Sequence, residues 1–94
     1  MKRTWVAVLA IVLIAGLVGG CATANGIQSA RAQLQKAKAS GAEWSAPYEY
    51  YSAEAFLGQA EYQAEKGDLK QADIFTKQSA DYSAKALQMV GGAK

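Results

Sequence analysis

Ninety-four residues, 51% of them hydrophobic and 19% charged, leave room for one domain at most, and a net charge of +2 gives no strong electrostatic bias. The chain has no histidine and a single cysteine, Cys21, which removes the commonest general bases and metal ligands and excludes an intrachain disulfide. No enzyme, cofactor or metal site is expected from such a composition.

The hydrophobic content is unevenly spread. Lys2 and Arg3 open the chain, residues 5–18 form an uncharged apolar run, and Gly19, Gly20 and Cys21 follow. A basic start, an apolar stretch of this length and a small-residue zone describe a secretory signal over residues 1–20. Hydropathy alone also admits an uncleaved single-span anchor, since about 20 apolar residues cross a bilayer. The glycine pair weakens a helix where it would enter the headgroups. Val18-Gly19-Gly20-Cys21 resembles the lipobox of bacterial lipoproteins. That resemblance implies diacylglyceryl transfer to the Cys21 sulfur, cleavage before Cys21, and acyl chains that hold the protein on a membrane. Ala22 in place of an aspartate implies the outer membrane, facing the periplasm. Loss of Lys2 and Arg3 leaves eight basic residues against eight acidic, with no basic stripe for nucleic acid.

Beyond Cys21 the chain is rich in alanine and poor in β-branched residues, and it contains one proline, Pro47. This composition predicts an all-α domain over 26–90, preceded by a tether at 21–25 and followed by a flexible tail at 91–94. Asn25 and Gln28 are a capping pair for a first helix over 26–40, which Gly41 ends. Ser45-Ala46-Pro47 starts a second helix over 46–66, with proline in the first turn. Lys66-Gly67-Asp68 then joins it to a third helix over 69–90: Gly67 suits the left-handed C′ position, and Asp68 with Gln71 suits a capping box. So short a turn makes the last two helices an antiparallel hairpin.

Helical periodicity gives the second helix two apolar faces: Tyr48, Tyr51, Ala55 and Tyr62, and nearly opposite them Tyr50, Ala53, Leu57, Ala60 and Ala64. Two such faces suggest a middle helix with neighbours on both sides. The third helix places Leu69, Ala72, Ala80, Leu87 and Val90 on one side and Phe75, Tyr82, Ala86 and Met89 on a second strip. Lys77, Asp81 and Lys85 form a surface row at i, i+4 spacing. The first helix offers Ile27, Ala30, Leu34 and Ala37. So small a domain, without disulfide or metal, is expected to be modestly stable or to gain support from a partner or self-association.

Trp44, Tyr48, Tyr50 and Tyr51 cluster at the start of the second helix. Tyr51 fits the core by its spacing, which leaves Trp44 and Tyr50 as candidate partner contacts. Lys94 is a candidate peptidoglycan attachment, by similarity to Braun-type lipoproteins, which join a terminal lysine to the wall. Gly41, Pro47 and Gly67 depart from the single long rod of those proteins.

Pro47-Tyr48-Glu49-Tyr50-Tyr51, Ala53-Glu54-Ala55-Phe56-Leu57 and Ala64-Glu65-Lys66-Gly67-Asp68, with Ala72 and Ala80, resemble small bacterial lipoproteins carrying domain of unknown function 4398. The Gly67-Asp68-Leu69…Ala72 stretch is also similar to a tetratricopeptide turn, although a single helical pair is far short of a repeat array. The resemblance implies a lipobox and a helical hairpin, and no activity. The sequence therefore points to a lipid-anchored periplasmic protein with a helical domain that binds an envelope protein. Alternatives are a structural tether through Lys94 and an uncleaved membrane span.

Overall fold

The computed structural model of the chain describes the backbone of residues 2–92 and, with side chains, Thr4 and residues 21–91. Met1, the lipobox residues Val18, Gly19 and Gly20, and Lys94 lie outside the part described with side chains. The protein is all-α, with helices α1 (Lys2–Ala39), α2 (Ala42–Ser45), α3 (Pro47–Glu65) and α4 (Leu69–Gly92).

The expected turns form where the backbone demands them. Gly41 takes φ 86° and ends α1, and its carbonyl then accepts from Trp44 N at 3.1 Å and Ser45 N at 3.0 Å to start the single turn α2. That turn had no sequence signal. Pro47 sits at the first helical position of α3. At the α3–α4 turn, Gly67 (φ 84°) donates to Ala64 O at 3.1 Å and Asp68 N donates to Gln63 O at 2.9 Å, which is a Schellman closure. Gln71 N donates to Asp68 Oδ1 at 3.1 Å. The reciprocal half of the expected capping box does not form, because the Asp68 N–H is already engaged by Gln63.

Two boundaries differ from expectation. Asn25 does not open a helix: residues 21–25 are helical and α1 runs through them. Elongating an existing helix needs no new nucleus, so Asn25 has no exposed amides to cap. Thr23 and Ile27 are buried, and Gly26 lies against α4, where an added Cβ would stand 3.6 Å from Thr76 Cγ2. Gly91 and Gly92, expected in a flexible tail over 91–94, are helical instead: α4 continues through Gly92 and neither of these glycines adopts the positive φ of a C′ stop.

Three helices pack together with one spacing. Buried or half-buried residues recur at 23, 27, 30, 34, 37 in α1, at 46, 50, 53, 57, 60, 64 in and before α3, and at 72, 76, 79, 83, 86, 90 in α4. Alternating steps of four and three average 3.5 residues, the period of a left-handed coiled-coil seam. The seam residues are mostly small: Ala30, Ala37, Ala53, Ala60, Ala72, Ser79, Ser83 and Ala86 are buried around Ile27, Leu34, Tyr50 and Leu57. Small residues let helix axes approach closely, so backbone atoms supply much of the contact. Ser79 Oγ, for example, donates across the seam to Ala53 O at 2.7 Å.

The expectation of α3 as a middle helix does not hold. Its Tyr50–Ala60 face is buried, whereas Tyr48, Tyr51 and Tyr62 on the other face are exposed. α4 instead packs extensively on both α3 and α1. The direction of each helix follows from its partners: Arg31 meets Glu61, Gly26 meets Thr76, and Phe56 meets Phe75. α1 and α4 therefore run parallel, with α3 antiparallel to both. Cys21 lies at the end of the bundle that holds the Gly67 turn, while Gly41, Trp44 and the C-terminal end of α4 lie at the other.

Candidate functional site

Two regions of the bundle bear on function, one at each end. The distal end carries the aromatic cluster. Trp44 projects from α2 with 85% of its surface exposed, and Tyr48 is also exposed, at 69%. Both follow from a chain reversal that leaves α2 one turn long, with Ala42 and Ala46 turned into the core and the intervening Trp44 outward.

Tyr50 is a correction. It was a candidate for exposed contact, yet it is 4% exposed and belongs to the core, while Tyr51, expected inside, is outside. The seam passes through 46, 50, 53 and 57, which places 51 about 100° away from it. Tyr51 packs edge-on against the Tyr50 ring at 5.1 Å, and its hydroxyl donates to Glu43 Oε1 at 3.3 Å. Burial first, and then the charges of Glu54 and Glu43, push the Tyr50 phenol above its ordinary pKa.

From Tyr48 a ladder of rings runs along the outer α3–α4 groove. Tyr48 meets Tyr82 edge-on at 6.1 Å, Tyr82 stacks on Phe56 at 5.5 Å, and Phe56 faces Phe75 at 6.1 Å. Lys85 Nζ stands 5.1 Å from the centre of the Tyr82 ring. Met89 extends this surface, with nearly half its area exposed. The ladder couples α3 to α4 and presents one apolar edge to solvent.

The proximal end holds Cys21, whose side chain is exposed. Beside it, α1 and α3 part to form an open cleft of about 480 Å³. Thr23, Ile27, Ala64 and Leu69 line its floor, and Arg31 and Glu61 pair across it. Gln28 and Glu65 form polar rims. The sequence reading did not identify this cleft. Its signal was the row Cys21, Ala24, Gln28 and Arg31, which falls on one face of α1 by helical spacing.

Among the described residues no three side chains of metal-ligating type come together, and no helix is long and apolar enough to cross a membrane. The apolar run over 5–18 lies outside the part described with side chains. No protein-family model, curated protein or solved structure matches this chain.

Proposed function

We propose that the protein is a non-enzymatic bacterial lipoprotein of the kind its lipobox and its Pro47–Leu57 region resemble, anchored in the outer membrane by acyl chains on Cys21. The observation that carries this reading is the position of Cys21: its exposed thiol directly follows Val18-Gly19-Gly20 and stands two residues before Thr23, the first buried residue among those described with side chains. An acceptor there is open to a membrane-bound transferase, and cleavage before it leaves every described buried residue in the chain. Acyl chains contribute about 0.8 kcal/mol per buried methylene, so two or three of them anchor a domain firmly.

The helical domain would then meet an envelope protein through its distal aromatic end. Trp44 and Tyr48 are large, rigid and already exposed, so docking orders few rotamers. Intact-mass measurement of protein extracted from its native membrane tests the anchor. A species that begins at acylated Cys21 is expected; an unmodified full-length chain would mean an uncleaved span instead. Capture of envelope proteins by wild type, but not by Trp44→Ala, tests the docking surface.

A second reading has one observation in its favour. α4 stays helical through Gly92 and ends at the face of the bundle opposite Cys21. A 24-residue helix is about 36 Å long. Attachment of Lys94 to peptidoglycan would therefore place wall and membrane on opposite ends of the domain. Muramidase digestion of cell walls, followed by a search for a mucopeptide on Lys94, decides between this tether and a protein whose Lys94 is unmodified.

A further inference from the structure

We propose that one acyl chain of lipidated Cys21 lies in the cleft between α1 and α3 when the protein is in water. This rests on the lipoprotein reading above.

Three observations converge on that occupant. Cys21, Ala24, Gln28 and Arg31 follow one another at three- and four-residue steps, so the cysteine stands on the same line of α1 as the cleft wall, one turn before Ala24. The floor is mainly apolar, made by Ile27, Ala64 and Leu69 beside Thr23, and the charges stand at its margins: Glu65 on the rim and the Arg31–Glu61 pair at the far end. From Cys21 to Arg31 the helix rises about 15 Å, which suits one extended acyl chain.

The cleft thus favours a narrow apolar occupant tethered at its mouth, and the covalent link supplies that occupant at high effective concentration. In a bilayer the chain has a larger apolar phase available. In water the cleft removes part of its surface from solvent, which lowers the penalty of carrying an anchored domain between membranes.

The test uses the native lipoprotein, labelled in cells with a fatty acid that carries a terminal diazirine. The purified protein is irradiated in dilute, detergent-free solution and digested for mass spectrometry. The expected result is label on Cys21 with intramolecular cross-links to peptides containing Ile27, Ala64 or Leu69. Ala24→Trp, an exposed substitution that blocks the mouth, should reduce those cross-links several-fold, as should Ala64→Glu, which puts a charge in the floor. Circular dichroism checks that each variant keeps its helix content. Label on Cys21 with cross-links only between molecules, or scattered over the surface, overturns the cleft and leaves the lipoprotein reading standing. No label on Cys21 overturns both.

Discussion

Ser79 on α4 donates its hydroxyl proton to the backbone carbonyl of Ala53 on α3, 2.7 Å away and wholly buried. One turn further on, Ser83 is equally buried, yet its hydroxyl has no partner. Two serines of the same seam therefore have opposite energetic signs. A satisfied hydroxyl contributes about 1 kcal/mol, whereas an unpaired one retains its desolvation penalty of about 1–3 kcal/mol. Ser79→Ala should lower stability by about 1 kcal/mol and Ser83→Ala should raise it by a similar amount, alanine also being the better helix former. Urea unfolding followed by circular dichroism measures both. A Ser83→Ala protein less stable than wild type would show that the hydroxyl has a partner.

Tyr50 and Trp44 should separate stability from recognition. Tyr50 belongs to the buried core, so Tyr50→Ala removes a buried ring and should cost about 3–5 kcal/mol, enough to unfold much of so small a domain. Trp44 is exposed, and Trp44→Ala should shift stability by less than about 0.5 kcal/mol. Thermal melts of the two variants check this. Equal losses would mean that Trp44 is packed.

How much of this was legible beforehand differs by element. The α3–α4 hairpin could be read because Gly67 and Asp68 are local chemistry: a left-handed residue and a cap determine a turn regardless of what surrounds it. The seam of α4 was legible only in part. Ala72 and Ala86 fall on its two apolar strips, but between them the buried positions are Ser79 and Ser83, so apolar periodicity favours Leu69, Phe75 and Leu87, which flank the seam half-buried. The same blindness exchanged Tyr50 and Tyr51, adjacent residues of one type that only the register of the neighbouring helices distinguishes. Cys21 was visible as a motif. The cleft beside it was not, because it is a gap between helices distant in sequence.

Gly26, Gly41, Gly58 and Gly67 divide into two pairs. Gly41 and Gly67 have φ near +85°, with open space where a Cβ would go, so alanine there is opposed by backbone conformation alone and should cost about 1–2 kcal/mol. Gly26 and Gly58 lie in ordinary helix, and alanine at either meets at most a normal contact, 3.6 Å to Thr76 Cγ2 for Gly26. Gly26→Ala and Gly58→Ala should each stabilise the domain by about 0.5–1 kcal/mol. Denaturant midpoints of the four variants give the comparison. Loss of stability in Gly26→Ala would mean that α1 and α4 sit closer than 3.6 Å allows.

Stability should fall in alkali. The Tyr50 phenol is raised in the folded state, chiefly by burial, whereas in the unfolded chain it titrates near its ordinary value of about 10. The folded protein thus holds its proton to higher pH than the unfolded chain does. The resulting stability is complete below about pH 10 and is lost as pH rises through the folded value. Tyr50→Phe removes that titration, so its unfolding midpoint should decline less between pH 8 and pH 11 than that of wild type. Parallel decline in the two proteins would assign the alkaline loss to other groups.

The parallel course of α1 and α4 has a mechanical meaning. A pull between Cys21 and Gly92 acts on α1 just before its first described seam residue, Thr23, and on the end of its parallel neighbour, so it slides the two past each other and loads the small-residue seam along its whole length at once. A pull between Cys21 and Gly67, at the same end of the bundle, peels α3 from α1 one turn at a time. Rupture forces in an optical trap should be distinctly higher for the first pair of attachment points. A domain built this way is stiffest along the line that joins its lipidation candidate to its far end.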